Sequence, residues 1–410
     1  MSQQGPLIVV AREGRPAFAD VLAEQGAFPI VEATWEEAIA AFTQIFPALI
    51  VADVSDGCTD DLIRLASSLA TAAPYVPLIA VGTLASPPPN VIPFEGPFGQ
   101  LPARVNAALR VRTLHATVLR RLDDATATHT LLPPTDPIQD ATALLVGRGP
   151  SYPALSVAFG QRMGVIGALS VEAAANHLNI RDIDGVSVGE GFSPRVTDAF
   201  LTVLSEDARF RHLPVIVSGN IAGIRTDYGL ANLEVVRGSA PEVAANAAPL
   251  IRQHALEARL TRALKSLDAD GLLDPRTGLL TVDAFDKDFS KAVSETAAQG
   301  GGLSAARFVF QNRDVRAAID AARILSRLMR RMDFAALQED GSIIAAFAQT
   351  DLRTAHVIAR RLASVLKHTM LTADESKRLD PQVTLATLKA NDSAEAVLER
   401  LQPASHRAAS

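Results

Sequence analysis

Two residues in the last quarter of the chain, Arg330 and Asp333, combine side chains that recognise phosphates and nucleobases. They open the stretch "RRMDFAALQEDGSIIAAF", residues 330–347. A guanidinium fork pairs with a phosphate or with the O6/N7 edge of guanine, and a carboxylate accepts hydrogen bonds from N–H donors. The same spacing also suits a surface ion pair at a helix end, worth about 0.2–0.5 kcal/mol. Arg331 could replace Arg330 in either role, although the register favours Arg330.

The residues that follow Asp333 predict a β-hairpin, because two apolar runs flank the acidic turn "EDGSI" at 339–343. Alternation and amphipathicity predict further elements around it. These are strands at 302–310 and 381–389 and helices at 314–332 and 351–368. The resulting order of helices and strands predicts an α+β unit with a mainly antiparallel sheet.

The first two-thirds of the chain contains a repeated pattern of apolar runs and amphipathic stretches. Runs of strand length occur at 6–10, 47–56 and 76–82, and again at 141–147, 182–192, 213–220 and 233–238. A helix is predicted at 34–45, and longer helices at 101–123 and 240–268 close the two repeats. Buried strands alternating with helices predict parallel sheets covered on both faces. A repeat of this length indicates a duplicated domain rather than a solenoid.

The order of these units resembles a bacterial response regulator with two receivers and a terminal GGDEF domain, the class that makes cyclic di-GMP (c-di-GMP). "DPRTGLL" at 274–280 resembles the family's D-x-L-T-G-L opening, and Arg330-x-x-Asp333, placed five residues before the turn, resembles its R-x-x-D motif. The resemblance covers nearly the whole chain and implies a fold of the α/β and α+β classes. The implied parts are flavodoxin-like receiver (CheY-like) domains at 1–125 and 140–268, a linker at 126–139, a degenerate GGDEF domain at 269–402 and a disordered tail at 403–410.

Departures from the family pattern concentrate where catalysis would occur. Glycines in the signature turn let the backbone approach a triphosphate, but this chain has Glu339 and Asp340 there, and Gly341 stands at the acidic position. Magnesium needs hard oxygen ligands, yet Phe310 and Gln311 stand near the position of the metal-binding aspartate. Phosphoryl transfer depends on positioning and charge neutralisation. We therefore expect a chain without cyclase activity, catalytic residues or a catalytic metal.

The R-x-x-D motif forms a separate product-binding site in the family. The resemblance implies c-di-GMP as the ligand of Arg330 and Asp333, with Arg361 aligned to a further arginine of that site. The alternative to a ligand-binding role is that Arg361 and its neighbour Arg360 belong to a solvated helix face.

The first receiver-like unit keeps one residue of a phosphorylation site. Asp53 ends an apolar run and resembles the phosphoacceptor. The acidic pair that would hold magnesium is missing, since Glu13 lies too late, and Gly96 replaces the lysine that would neutralise a phosphoryl group. Thr83 retains the hydroxyl that follows the fourth strand. An aspartate at a strand end is also a common turn former.

The second receiver-like unit has Gly189 at the acceptor position, with Glu190 beside it. Both units are therefore expected to act as protein-interaction modules. Receivers commonly dimerise through one face, which makes a homodimer the expected assembly.

Bulk composition narrows the functional classes. With 410 residues and a net charge of −6, the chain is not expected to bind nucleic acid through general basic attraction. A single cysteine, Cys58, favours a reducing compartment. The start "MSQQGPLIVVAREG" does not resemble a signal peptide, and no apolar window reaches the ~18–20 residues of a membrane span. These features predict a cytoplasmic protein.

The resemblance further implies recruitment to a cell pole, with adaptors of the ClpXP protease and a cell-cycle transcription regulator as partners. Three rival functions stay open. One is a cyclase with an atypical active site, another is a ligand-free scaffold in which R-x-x-D is a relic, and a third is a phosphorelay receiver acting through Asp53.

Overall fold

The computed structural model describes residues 5–26, 28–55, 57–124, 135–218, 225, 227–310, 314–369 and 381–402, with the backbone alone described at 124, 299, 368 and 369. The predicted tail at 403–410 and most of the predicted linker lie outside these residues. Contacts divide the chain into two compact units. The first comprises 1–124, 134–175 and 183–261, and the second comprises 125–133, 176–182 and 262–410. No helix in the described part of the chain has the length and apolarity needed to cross a membrane.

Two repeats of alternating strands and helices precede the antiparallel part of the chain. The first repeat consists of β1 (Leu7–Ala11), α1 (Ala17–Glu24), β2 (Ile30–Thr34), α2 (Ala38–Ile45), β3 (Leu49–Asp53), α3 (Thr59–Leu69), β4 (Leu78–Val81), β5 (Val91–Phe94) and α4 (Leu101–Asp124). The second consists of β6 (Thr142–Val146), α5 (Tyr152–Gly160), β7 (Gly164–Ala168), α6 (Val171–Ile180), β8 (Gly185–Val188), α7 (Pro194–Glu206), β9 (Val215–Ser218), β10 (Leu233–Val236) and α8 (Ala240–Asp268).

Each repeat forms a five-stranded parallel sheet, which confirms the prediction of parallel sheets. The strand orders are β2-β1-β3-β4-β5 and β7-β6-β8-β9-β10. Both correspond to the 2-1-3-4-5 order of doubly wound sheets. Every residue of β1 and β6 is buried, as expected for strands covered on both faces. In each repeat, the described residues between the fourth and fifth strands form no helix.

The helix predicted at 34–45 begins later, at Ala38, because Thr34 is the last residue of β2. The Thr34 amide donates a hydrogen bond to the Glu37 carboxylate at 3.1 Å, and the Glu37 amide donates to the Thr34 hydroxyl at 3.4 Å. This reciprocal pair closes a turn between strand and helix. The pattern of apolar runs did not predict β7, whose sequence GVIGA is only partly buried.

A buried ion pair joins the two repeats within the first unit. Arg104 of α4 donates to the carboxylate of Glu234 on β10 at 2.8 Å, and both side chains are less than a tenth exposed. The same guanidinium donates to the carbonyl oxygens of Pro93, Ala231 and Leu233 at 2.7–3.1 Å. Burial raises the pKa of Glu234, whereas the charge of Arg104 opposes that rise. The pair therefore makes the packing of each repeat depend on the other.

Replacing Arg104 with Ala should lower the free energy of unfolding of the first unit by about 3–5 kcal/mol, because Glu234 would keep a buried charge without a partner. The measurement is urea denaturation followed by the fluorescence of Trp35, the only tryptophan of the chain and a buried residue of this unit. Arg15→Ala removes two exposed ion pairs, with Asp20 and with Glu32, and should change stability by less than about 1 kcal/mol. Equal effects of the two substitutions would contradict the assignment.

The second unit contains a four-stranded antiparallel sheet, as predicted. Its elements are α9 (Val282–Gln299), β11 (Leu303–Val309), α10 (Val315–Leu328), β12 (Phe334–Leu337), β13 (Ile343–Ala348), α11 (Leu352–Thr369), β14 (Gln382–Thr387) and α12 (Ala394–Glu399). The strand order is β12-β13-β11-β14, and every pairing is antiparallel. One face of the sheet packs against α10 and α11, and the other packs against α9 and α12.

The helix predicted at 314–332 ends earlier than the pattern indicated. Its last residue is Leu328, because Met329 adopts an extended conformation with φ −71° and ψ 151°. Arg330 and Asp333 therefore lie in the turn between α10 and β12, not on a helix face.

Candidate functional site

The hairpin predicted from the sequence is formed by β12 and β13. Leu337 pairs with Ile343 next to the turn, and Phe334 pairs with Ala346 near the open end. The Gln338 amide donates to the Ser342 carbonyl at 2.8 Å, which closes the turn. Gly341 has φ +81°, in the left-handed region where glycine carries no steric penalty. The turn conformation therefore favours glycine at position 341.

Arg307 fixes the conformation of this turn from beneath. It occupies the middle of β11, between β13 and β14, and its side chain is 9% exposed. The guanidinium donates to the Asp340 carboxylate at 2.6 Å and to the Ser342 hydroxyl at 3.1 Å. It also donates to the side-chain oxygen of Gln402 at 3.0 Å. The turn and the segment after α12 are thus tied to one buried charge.

The Asp340 side chain is 55% exposed, but both of its carboxylate oxygens accept hydrogen bonds within the second unit. One oxygen accepts from the Ser342 amide at 3.0 Å and from its hydroxyl at 2.6 Å, and the other accepts from Arg307. Burial alone would raise the pKa of Asp340, but the Ser342 hydrogen bonds and the charge of Arg307 lower it. The neighbouring Glu339 is exposed.

Sequence reasoning missed Arg307. The available signal was a single arginine within the apolar strand "GLSAARFVF", since an arginine is almost never fully buried without partners. Phe310, by contrast, lies in the hydrophobic core with Phe308 and Ala317. It supplies no oxygen at the end of the strand, and Gln311 lies outside the described residues.

A cleft of about 840 Å³ lies beside the turn. Its lining combines apolar side chains with carboxylates. The lining residues are Asp274, Arg276, Leu280, Thr281, Val282, Val309, Phe310, Asp314, Val315, Ala318, Ile319, Leu337, Gln338, Glu339, Asp340 and Gly341. In the part of the chain that the structure describes, no group of three His, Cys, Asp or Glu side chains is placed to hold a metal ion.

Arg330 and Asp333 meet in one turn, in which the Asp333 amide donates to the Arg330 carbonyl at 3.0 Å. The Asp333 carboxylate is buried, at 9% exposure, and accepts a hydrogen bond from the Ala348 amide at 3.3 Å. Burial raises the pKa of the Asp333 carboxyl, although the Ala348 amide and the charge of Arg330 oppose the rise. The Arg330 side chain is exposed and forms no ion pair within 4.0 Å of a described carboxylate, Asp333 included. The surface ion pair considered as an alternative is therefore not formed.

Arg361 lies on α11 and is exposed, as is Arg360. Both line an open groove whose described lining residues all belong to α11, and neither Arg330 nor Asp333 is among them. No described hydrogen bond links Arg361 to the Arg330–Asp333 turn. The structure thus brings two of the three predicted residues together, with the third on a neighbouring element of the same unit.

The carboxylate of Asp53 is engaged in its own turn at the end of β3. One oxygen accepts from the Ser55 amide at 3.0 Å and from its hydroxyl at 2.6 Å, the contacts of a turn-forming aspartate. Glu13 and Thr83 are exposed on other loops, and no described contact links either of them to Asp53.

In the second repeat, the loops that follow β6 and β8 are joined to each other. The amides of Arg148 and Gly149 donate to the Glu190 carbonyl at 3.1 and 3.2 Å, and the Glu190 carboxylate accepts from Ser151 at 3.1 Å. A side chain at Gly149 would come within 2.5 Å of the Glu190 side chain. The two loops are therefore held against each other at the carboxyl ends of β6 and β8.

Comparisons with known proteins place solved GGDEF domains among the structural neighbours of the chain. No protein-family model and no curated protein matches it. The coiled coil and GGDEF domain of DgcB from Caulobacter crescentus, solved with c-di-GMP, has 18% identity over 35% of this chain and 83% of that chain, with a TM-score of 0.29. A sensory box/GGDEF family protein from C. crescentus has 21% identity over 34% and 97%, with a TM-score of 0.28. The GGDEF domain of FimX from Pseudomonas aeruginosa has 16% identity over 33% and 90%, with a TM-score of 0.29.

The energetic coupling of Arg307 with Asp340 can be measured with a double-mutant cycle of Arg307→Met and Asp340→Asn. We expect a coupling free energy of about 0.5–3 kcal/mol at neutral pH, measured by urea denaturation followed by circular dichroism. The pKa of Asp340 is lowered in the folded chain. The coupling should therefore be fully present at a pH above the ordinary carboxyl pKa of about 3.9, and it should be lost as the pH falls through the lower folded-state pKa.

The matched control is the exposed pair of Lys291 and Asp288 on α9, whose side chains are 75% and 50% exposed. Its coupling should not exceed about 0.5 kcal/mol. A coupling between Arg307 and Asp340 as small as that of the control would refute the role assigned to the buried guanidinium.

Proposed function

We propose that the chain is a catalytically inactive GGDEF homologue that binds c-di-GMP through Arg330, Asp333 and Arg361 and acts as a signalling adaptor through protein contacts. The observation that carries the proposal is the turn before β12, where a buried carboxylate lies beside an exposed arginine that forms no described ion pair.

This turn suits a guanine nucleotide for chemical reasons. An ionised Asp333 has four lone-pair sites and accepts from the backbone amides of Ala348 and Arg330, so lone pairs remain for the N1 and N2 donors of guanine. The Arg330 fork can pair with a phosphate or with the O6/N7 edge of the base. Arg361, which is exposed on α11, would add a second guanidinium to the same ligand.

The residues at the hairpin turn support the proposed loss of cyclase activity. A triphosphate would meet the exposed Glu339 and an arginine, Arg307, whose donors already bind Asp340, Ser342 and Gln402. Phe310 supplies apolar surface where a magnesium ligand would be needed. The geometry therefore favours ligand binding without turnover over an atypical cyclase.

The two doubly wound repeats would act as receiver-derived interaction modules. Asp53 already accepts hydrogen bonds from Ser55. In the second repeat the loops after β6 and β8 are hydrogen-bonded to each other, so protein contacts are favoured over phosphoryl transfer. Phosphorylation of Asp53 stays a prediction. The resemblance suggests a homodimer in the cytoplasm, recruited to a cell pole, with adaptors of ClpXP proteolysis and a cell-cycle regulator as partners.

Calorimetric titration of the full chain with c-di-GMP tests the proposal. Micromolar or tighter binding is expected, corresponding to about −8 kcal/mol. Arg330→Ala and Asp333→Asn should each weaken binding by about 1.5–3 kcal/mol, the usual contribution of a hydrogen bond to a charged group. Arg331→Ala removes the adjacent exposed arginine and should bind like the unmodified chain.

Other outcomes of the titration would support the rival functions. Absence of both heat and thermal stabilisation at saturating c-di-GMP would make the chain a ligand-free scaffold. Formation of c-di-GMP from GTP and Mg²⁺ by the purified chain would instead identify an active cyclase.

The affinity for c-di-GMP should also depend on pH through Asp333. The carboxylate must be ionised to accept hydrogen bonds from guanine, and its pKa in the folded chain is raised. Binding should therefore weaken as the pH falls toward this raised pKa, which lies above the ordinary value of about 3.9. The residual binding of Asp333→Asn should lack this dependence. An identical pH profile in the variant would show that another group titrates.

A further inference from the structure

The cleft beside the hairpin turn has an acidic rim. The described residues that line it include the carboxylates of Asp274, Asp314, Glu339 and Asp340 and one cationic side chain, that of Arg276. Arg276 forms an ion pair with Asp274 at 3.4 Å. Glu339 is exposed and forms no ion pair with a described residue. The rim therefore favours positive groups.

The floor of the same cleft is apolar. Phe310 and Leu337 contribute largely covered surface, whereas Val315, in the first turn of α10, is 68% exposed. A volume of about 840 Å³ lies within the ~300–1,000 Å³ typical of binding pockets. The cleft thus suits a group that is both apolar and cationic, and it disfavours a polyphosphate.

A complementary surface exists elsewhere in the second unit, on the outer face of α11. Arg353, Val357 and Arg360 follow each other at positions i, i+4 and i+7 and therefore share one side of the helix, with the two arginines about 10 Å apart along its axis. Val357 is 67% exposed and Leu352 is 41% exposed. The described residues lining the groove along this face include no carboxylate. We name Leu352, Arg353, Val357 and Arg360 the α11 ridge.

We propose that the α11 ridge of one copy docks into the acidic cleft of a second copy. Val357 would cover the exposed Val315, and the ridge arginines would face Glu339. The two surfaces differ, so the contact is heterologous and generates a ring or an open chain of molecules. Exposed ion pairs contribute little affinity, so the charges would set the orientation while the valines supply most of the attraction.

The experiment is sedimentation velocity of the full chain over a range of protein concentrations, with Glu339→Arg and Arg360→Glu as matched charge reversals. We expect the unmodified chain to associate more strongly as concentration rises and more weakly as salt is added. Each variant alone should associate about tenfold more weakly or worse, because like charges then face each other. Neither variant changes Arg330, Asp333 or Arg361.

A mixture of equal amounts of the two variants tests whether the ridge and the cleft contact each other directly. It restores one unaltered pairing of ridge and cleft and creates one pairing with both charges reversed, so association should recover. Recovery also demonstrates that both variants are folded.

Three outcomes would overturn the proposal. In the first, the unmodified chain shows no association that depends on concentration, and in the second, each single variant associates as strongly as the unmodified chain. In the third outcome, the mixture of the two variants associates no more strongly than either variant alone. A dimer that persists in both variants would instead be a symmetric assembly through another surface. Because c-di-GMP is absent from these runs, their result does not depend on the proposed ligand site.

Discussion

A guanidinium group buried beneath a hairpin turn must find acceptors in several directions, and this requirement organises the second unit around Arg307. Leaving such a charge unpaired would cost several kcal/mol. The acceptors come from the turn, through Asp340 and Ser342, and from Gln402 after the last helix. Gly341 adopts a left-handed conformation, and Glu339 is exposed. The turn therefore presents one carboxylate that pairs with the buried guanidinium and one that does not, and both line the cleft.

The hairpin separates two chemical environments by the length of its strands. At one end, the acceptor-rich turn is bound to Arg307, and at the other, Asp333 is held against the Ala348 amide. Six residues of extended chain correspond to roughly 20 Å, so a change at the turn need not alter the other end. A substitution at Glu339 can therefore leave the turn that contains Arg330 and Asp333 unchanged.

Much of this architecture could be predicted from local patterns. The fully buried strands β1 and β6, the helix predicted at 101–123 and the hairpin are encoded by neighbouring residues, because burial and turn chemistry act over short distances. The end of α10 was missed, since the extended conformation of Met329 has no signature in the amphipathic pattern. The roles of Arg104 and Arg307 could not be predicted either. Their acceptors lie far away in sequence, and only the tertiary fold identifies them.

The ion pair between Arg104 and Glu234 also bears on how the chain is made. The two residues are separated by 130 positions, and a ribosome adds about 5–20 residues per second, so roughly 6–26 s pass between their syntheses. During that interval α4 presents a guanidinium whose final acceptors on β10 do not yet exist. This face of the first repeat therefore stays hydrated until β10 has been synthesised, and the packing of the first repeat is completed only with the second. An N-terminal fragment ending before β10 would retain that unfinished surface permanently.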